Sequence, residues 1–174
     1  MCQNKAECGR QENKHSSRIP DNWLHRGGET MAQKLLIVVD MLNDFINHGG
    51  AFDCGNKARA IVPFVVQKIK EYMAEGLPIV FLMDAHDPED LEFQSLPVHC
   101  VFGTEGARLI KEIEDVIEEY SFAMKLPKSS SNGFYRTNLN EILKDLRPRV
   151  VEMVGVCTNT SILYTCLLYT SRCV

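Results

Sequence analysis

The stretch "KLLIVVD" (residues 34–40) is apolar after its first residue and ends in Asp40. A second run of the same kind, "PIVFLMD" (residues 78–84), ends in Asp84. Strands that are apolar at every position are typical of the middle of a parallel sheet, where both faces are covered. We therefore predict a buried parallel strand at each run.

Segments with helical spacing of apolar residues separate these runs from further short strands. Helices are predicted at about 60–75, 106–119 and 137–148, strands at 121–126 and 149–156, and a last helix from near Thr158. This alternation predicts an α/β fold, a three-layer parallel sheet with helices on both faces and right-handed crossovers. In such sheets ligands bind beyond the carboxyl ends of the strands, where both aspartates are expected.

The composition is that of an ordinary globular protein, with 45% hydrophobic and 24% charged residues among 174. A net charge of -4 gives no electrostatic reason to expect a nucleic-acid partner. No apolar run approaches the roughly 20 residues that span a bilayer, so no membrane partner is expected. Seven cysteines at irregular spacing indicate free thiols in a reducing compartment, and we predict a cytoplasmic protein.

The two ends of the chain differ from its body. Residues 1–30 are polar and lack periodicity, which predicts a disordered or a mis-translated leader. Mis-translation is indicated by "RGGETM" (26–31), which a ribosome-binding site followed by a start codon can encode, so we predict a native start at Met31. "CLLYTSRCV" (166–174) can be encoded by a palindrome that resembles two joined transposon ends. We therefore predict a domain at 31–165, truncated at its C-terminus and followed by a non-native tail.

Asp40 ends a buried strand, where an unpaired carboxylate is costly. It is either a cap for the following loop or a functional carboxylate, acting as a general base or paired with a lysine. Lys125 and Lys128 occur in "KLPKSSSNGFYRTNL" (125–139). Each is either a solvated surface charge or a lysine near a buried aspartate, where it helps to activate a nucleophile.

The loop "DAHDPEDLEFQSLPVHC" (84–100) contains four side chains that are good ligands for a divalent metal, namely Asp84, His86, Glu92 and His99. The Asp-x-His spacing places two side chains on the same side of an extended segment, as a chelate requires. The alternative is a polar loop with surface histidines.

The segment "GVCTNTSILYT" (155–165) is typical of a turn between a strand and a helix. Backbone N–H groups at such a turn lower the pKa of a thiol and can form an oxyanion hole, which makes Cys157 of interest. The alternative is a helix capped by Thr158 or Asn159, with Cys157 as a small buried apolar residue.

Taken together, these segments resemble the isochorismatase-like cysteine hydrolases, and within them the nicotinamidases. The resemblance covers essentially all of 34–165. Each of its motifs is weak alone, but four in the family's order are specific: "LLIVVDMLNDF" (35–45), "HCVFGTEGARL" (99–109), "KSSSNGFYRTNL" (128–139) and "GVCTNTSILYT" (155–165). It implies the isochorismatase-like hydrolase fold.

The resemblance also implies roles for individual residues. Asp40 would be the acid or base of a catalytic triad. Lys128, rather than Lys125, would be its lysine, because the six-residue step to Phe134 matches the family's motif. Phe45 would pack against the substrate ring. A divalent metal, which we expect to be zinc, iron or manganese, would bind the pyridine nitrogen and water, held by Asp84, His86, Glu92 and His99.

In these enzymes a cysteine attacks the amide carbon of nicotinamide, releases ammonia and leaves a thioester that water hydrolyses to nicotinate. The implied partner is a small-molecule amide substrate, and the implied process is NAD salvage within pyridine nucleotide biosynthesis. Since family members commonly self-associate, a homo-oligomer is expected.

The chain departs from the family's pattern at the nucleophile. Three residues after Thr158, where the family has its cysteine, stands Ser161, and Cys157 fills a position that is not the family's nucleophile. A hydroxyl is far less acidic than a thiol, so we expect weak or absent hydrolysis rather than a switched nucleophile. Leu96 stands where the family usually has an aromatic residue, which predicts a different substrate pocket.

Two alternative functions follow from these departures. The first is a family hydrolase for another small amide or for an isochorismate-like ether. The metal loop argues against this alternative. The second is a catalytically silent ligand-binding homologue, which Ser161 favours.

Overall fold

The computed structural model describes residues 34–172. The predicted leader, 1–30, and the predicted start at Met31 lie outside the described residues. The last two residues of the predicted tail, 173 and 174, lie outside them as well.

Four parallel strands form one sheet in the order β3-β2-β1-β4. The strands are β1 (Lys34–Val39), β2 (Ile79–Asp84), β3 (Ala123–Lys128) and β4 (Val150–Gly155). The two apolar runs are therefore the central strands, and the predicted parallel α/β sheet is confirmed. Because β3 begins and ends two residues later than predicted, Lys128 is its last residue and not part of the following loop.

Helices connect every pair of consecutive strands. Between β1 and β2 lie α1 (Asn43–Ile46), α2 (Gly55–Ala60) and α3 (Val62–Glu75), and α3 ends at Gly76 as predicted. The next connections contain a short 3-10 helix (Leu91–Gln94), α4 (Lys111–Ile117) and α5 (Leu139–Leu146). After β4, a π-helix (Thr158–Ile162) leads into α6 (Leu163–Arg172).

The predicted helix at 106–119 is wrong at its start, because α4 begins five residues later. Leu109 forms a β-bridge with Leu42, and the N–H of Ile110 donates to the Met41 carbonyl at 3.0 Å. The residues before α4 are therefore bonded to the segment that follows β1. Tertiary hydrogen bonds override the helical spacing there.

The core lies on both faces of the sheet. Alternate residues of β1 point to opposite faces, as in any strand. On one face Leu36 and Val38 pack with α3 and α4, and the buried partners include Val65, Ile69 and Ile113. On the other face Leu35, Ile37 and Val39 pack with α5, through Leu139, Ile142 and Leu146. This is the predicted three-layer arrangement, which is confirmed.

Helix α6 continues without a break through the predicted domain limit at 165. The Cys166 thiol lies 3.2 Å from the sulfur of Met153 in β4. The limits of 31–165 and the non-native origin of the tail stay predictions. Among residues 34–172, no helix is long and apolar enough to cross a membrane.

Gly155 supplies a test of the β1–β4 contact. Its φ is +136°, and a Cβ built on it would lie 2.0 Å from the Val39 carbonyl oxygen. We expect Gly155→Ala to lower the free energy of unfolding by more than about 3 kcal/mol, because backbone overlap adds to the strain of the conformation. Urea denaturation of the purified chain measures this loss.

Gly49→Ala is the matched control. Gly49 also has a positive φ, +75°, but a Cβ there would meet nothing within 4 Å. Its cost should be about 1–2 kcal/mol. Equal losses in the two variants would contradict a close approach of β1 and β4 at Gly155.

Candidate active site

Asp40 stands directly after β1 in a left-handed conformation, with φ of 55°, and its side chain is fully buried. Its N–H donates to the Leu82 carbonyl at 2.9 Å. Its Oδ1 accepts the N–H of Asp84 at 3.0 Å, and its Oδ2 accepts from Lys128. The carboxylate is therefore bound to β2 and to a lysine, which favours the functional interpretation over a cap for the following loop.

Lys128 ends β3 and is 2% exposed. Its ammonium donates to Asp40 Oδ2 at 2.9 Å and also to Asp84 Oδ1. Lys125 points to the other side of β3 and forms an ion pair with Glu114 in which both side chains are partly exposed. Of the two candidate lysines, the structure thus places Lys128 beside the buried aspartates.

The charged groups of Asp40, Asp84 and Lys128 shift one another's pKa values. Burial raises the pKa of Asp40 to about 6, against the opposing effect of the Lys128 ammonium. Burial also acts against the ionised forms of Asp84 and Lys128. At Asp84 this effect of burial is outweighed by His86 and Lys128, which lower the pKa of the carboxyl. At Lys128 it is outweighed by both aspartates, which raise the pKa of the ammonium. Asp40 is therefore the carboxylate of this group that is best suited to accept a proton near neutral pH.

Ser161 lies in the π-helix and is 3% exposed. Its Oγ accepts from Lys128 at 3.2 Å, and the same ammonium donates to the Asp40 carboxylate at 2.9 Å. The turn before it is unusually wide, since the Cys157 carbonyl accepts from both Thr160 and Ile162. Asp40, Lys128 and Ser161 thus form one buried hydrogen-bonded group, which we call the polar trio.

Cys157 precedes the π-helix and has a left-handed backbone, with φ of 60°. Its half-buried side chain packs against the core on the α3 face. Burial, followed by the charge of Asp40, raises the pKa of its thiol to about 12. The hydrogen bonds described for Asp40 and Lys128 reach Ser161 and not this thiol. The structure therefore does not bring Cys157 into the polar trio.

Three of the four predicted metal ligands lie together beside the polar trio. The ligand atoms of Asp84, His86 and His99 are all within 4.8 Å of one another, and all three side chains are buried. His86 Nε2 has no hydrogen-bond partner among the described residues and lies 3.9 Å from Asp84 Oδ1. The Nδ1 of His99 lies 2.7 Å from the Pro97 carbonyl oxygen, which leaves Nε2 as the ligand nitrogen. Imidazole and carboxylate donors fit zinc, iron or manganese.

Glu92, the fourth predicted ligand, is half-buried in the 3-10 helix. It belongs to a second group with His86 and Asp90, whose ligand atoms are also within 4.8 Å of one another. The two groups share His86. Asp90 was not among the predicted ligands, although the spacing His86-x-x-x-Asp90 is visible in the metal loop.

Aromatic rings surround His99. The ring centroids of Phe45, Phe52 and Phe93 lie 5.4, 4.9 and 5.6 Å from that of the imidazole. Phe45 was predicted as a substrate contact, whereas Phe52 and Phe93 were not, since neither falls in one of the four motifs that carry the resemblance. An aromatic wall of this kind beside a group of metal-type ligands suits an aromatic ligand.

The side chain of Asp44 holds two loops of the site together. Its Oδ2 accepts the N–H of Cys100 at 2.7 Å, and its Oδ1 accepts the N–H of Ala51 at 3.2 Å. Gly106 lies so close that a Cβ there would be 2.1 Å from the carboxylate. The loop with Phe52 and the loop with His99 are thereby fixed to α1.

The model of the isochorismatase domain family matches residues 34–172. The chain belongs to the isochorismatase family. The fold of this isochorismatase-family chain is similar to that of nicotinamidase PncA from Bacillus subtilis, with a TM-score of 0.76 and 28% identity over 80% of each chain. The family resemblance inferred from the four motifs is confirmed.

Two further relatives bear on cofactor and activity. The pyrazinamidase of Pyrococcus horikoshii, solved in complex with zinc, has a TM-score of 0.70 and 28% identity, covering 80% of this chain and 79% of that one. An Arabidopsis thaliana protein named a probable inactive nicotinamidase is 26% identical over 139 residues, 75% of this chain and 69% of that protein. One of these two relatives is thus named as an enzyme, and the other is named as a probable inactive one.

Lys128 provides a test of the buried charges. We expect Lys128→Met to lower the free energy of unfolding by about 3–5 kcal/mol, because it leaves two buried carboxylates without their cation. Lys125→Met, in the same strand, removes only a partly exposed ion pair and should cost less than about 1 kcal/mol. Denaturant unfolding of both variants measures the difference, and a similarly small loss in each would contradict the buried arrangement.

Proposed function

We propose that this chain is an amidohydrolase that converts nicotinamide to nicotinate and ammonia, with Ser161 as a weak nucleophile. The observation that carries the proposal is the buried Lys128 ammonium, which donates both to Ser161 Oγ at 3.2 Å and to Asp40 Oδ2 at 2.9 Å. A base and an ammonium group beside one hydroxyl are what nucleophilic attack on an amide requires.

The substrate pocket is proposed to lie between the polar trio and the aromatic wall. Phe45 and Phe52 would pack against the pyridine ring and exclude water from it. Asp84, His86 and His99, with Glu92, would hold a divalent metal, which supplies a Lewis acid when bound. The zinc in the Pyrococcus horikoshii enzyme supports this choice, and the identity of the metal here stays a prediction.

The proposed reaction has two halves. Ser161 Oγ attacks the amide carbon while its proton passes to Asp40, and the Lys128 ammonium stabilises the negative charge that develops beside it. Asp40 then gives this proton to the leaving nitrogen, so that ammonia departs and an ester remains on Ser161. In the second half Asp40 takes a proton from water, the hydroxide attacks the ester, and the proton returns to Ser161 Oγ as nicotinic acid leaves and ionises to nicotinate in solvent.

The hydroxyl limits the rate of this sequence. A free thiol has a pKa of about 8.5, whereas a serine hydroxyl ionises far less readily, so the first proton transfer is harder. The pKa of about 6 at Asp40 partly compensates, since a base near the working pH transfers protons best. We therefore propose low activity for the unaltered chain.

A catalytically silent homologue that binds a small ligand is the second candidate. Ser161 favours this candidate, and the Arabidopsis thaliana relative is named a probable inactive nicotinamidase. A hydrolase for another small substrate is the third, since Leu96, half-buried in the metal loop, stands where an aromatic residue is usual. The group of metal-type ligands favours a nicotinamidase over an isochorismate-like ether hydrolase. A cytoplasmic location and a homo-oligomer stay predictions.

Replacing Ser161 tests the nucleophile. We expect Ser161→Cys to raise ammonia release from nicotinamide by more than about tenfold, or about 1.4 kcal/mol of barrier, because the site then has an ionisable thiol. Ser161→Ala should remove the activity of the unaltered chain. Ammonia is measured with zinc, iron or manganese added, in protein shown to be folded by circular dichroism.

The same assay separates the alternatives. Loss of activity in Cys157→Ala but not in Ser161→Ala would make Cys157 the nucleophile and overturn the assignment. Silence of every variant, with nicotinamide shown to bind, would support the silent homologue. Silence without binding would point to a different substrate.

Metal binding is tested separately from turnover. We expect about one zinc, iron or manganese ion per folded chain, and a rise of about 2.7 kcal/mol in unfolding free energy at a metal concentration 100 times the Kd. His99→Ala should lose the metal, since His99 is one of the three clustered ligands. His48→Ala, which alters an exposed histidine, should retain it. Elemental analysis after dialysis gives the stoichiometry, and equal metal content in both variants would contradict the site.

A further inference from the structure

Asp90 contacts two of the predicted metal ligands at once. Its Oδ2 lies 3.1 Å from His86 Nδ1, and its Oδ1 accepts the N–H of Glu92 at 3.0 Å. It stands at the start of the 3-10 helix, where the N–H of Phe93 also donates to its carbonyl at 3.1 Å. One carboxylate thus links the ring of one ligand to the backbone of another.

His86 has only one nitrogen left for a ligand. Its side chain is 1% exposed, and its ring lies between Phe93, at 5.4 Å, and His99, at 5.0 Å between centroids. Nδ1 faces Asp90, while Nε2 is buried without a partner among the described residues. A histidine that ligates a metal commonly donates its other N–H to a carboxylate or a carbonyl, which fixes the ring.

We propose that Asp90 is a positioning residue of the metal site, which orients His86 Nε2 towards Asp84 and His99 and holds the backbone of Glu92. The inference rests on the metal proposed above. His99 supplies a parallel, because its Nδ1 is held in the same way by the Pro97 carbonyl. Both histidines therefore present Nε2, but only at His86 is the supporting group a side chain.

The alternative is that Asp90 is itself a ligand, since its carboxylate lies within 4.8 Å of the ligand atoms of His86 and Glu92. Both of its oxygens, however, already face hydrogen-bond donors at 3.0 and 3.1 Å. These two contacts make Asp90 a support for its neighbours rather than a metal ligand. Removing it should weaken metal binding by about 10–100-fold while the ligand set stays the same.

The experiment uses the full chain freed of metal and titrated with Co²⁺, whose visible absorption reports the number and geometry of ligands. Asp90→Asn leaves one acceptor oxygen in place of two at almost constant volume, so His86 Nδ1 and the Glu92 N–H can no longer both be bonded. Asp90→Ser keeps a cap for the Glu92 N–H and loses the reach to His86. Asp87→Asn is the matched control, because Asp87 is an exposed acid of the same loop whose carboxylate accepts the local Glu89 N–H at 2.9 Å.

We expect both Asp90 variants to raise the Kd for Co²⁺ by about 10–100-fold with unchanged absorption bands. Asp87→Asn should bind like the unaltered chain. If only Asp90→Asn fails to fold, Asp90→Ser carries the same comparison.

Three results would overturn the inference. Equal affinity in the Asp90 and Asp87 variants would leave the metal site standing and remove the role of Asp90. Altered bands in the Asp90 variants would make Asp90 a ligand. Absence of Co²⁺ binding by the unaltered chain would overturn the metal site and this inference together.

Discussion

A buried ammonium group shared by two carboxylates is the constraint on which the site depends. Lys128 and Asp84 are paired in the last register position of β3 and β2, and Asp40 follows the end of β1. Any one of these charges alone in the interior would be costly, and the single ammonium compensates part of the charge of both carboxylates. The three strands must therefore end at one level. Ser161 takes its position from this group, because its hydroxyl accepts from the same Lys128 ammonium that binds both carboxylates.

Asp84 connects the two halves of the site. It contacts Lys128 through Oδ1, and it is also one of the three clustered metal-type ligands. The binding of a cation by the histidines and the protonation of the polar trio would therefore both depend on the charge of the Asp84 carboxylate. Electrostatic coupling of this kind means that a substitution in either half alters the other. The two chemistries are adjacent because β2 supplies a residue to each.

The sequence predicted those parts of the molecule that local pattern determines. Two apolar runs located the central strands and the aspartates that end them, whereas the choice of Lys128 over Lys125 came only from the family resemblance. We misplaced the start of α4, because it is decided by a hydrogen bond between Ile110 and Met41, which lie far apart in the sequence. Phe52 and Asp90 were missed as site residues for the same reason, since their partners are set by loop packing. The separation of Cys157 from Ser161 depends on one left-handed backbone angle and on a π-turn, which residue types alone do not indicate.

The π-helix also sets how the site responds to a change in chain length. A π-turn contains one residue more than an α-turn, so loss of one residue between 158 and 160 would allow ordinary helical winding while the residues after it keep their orientation. Ser161 would stay beside Lys128, and Thr165, which accepts the Gly133 N–H at 3.0 Å, would keep its buried position on α6. One residue added to the same turn would instead rotate the chain after it by about 100°. The turn therefore accommodates a shorter chain more readily than a longer one.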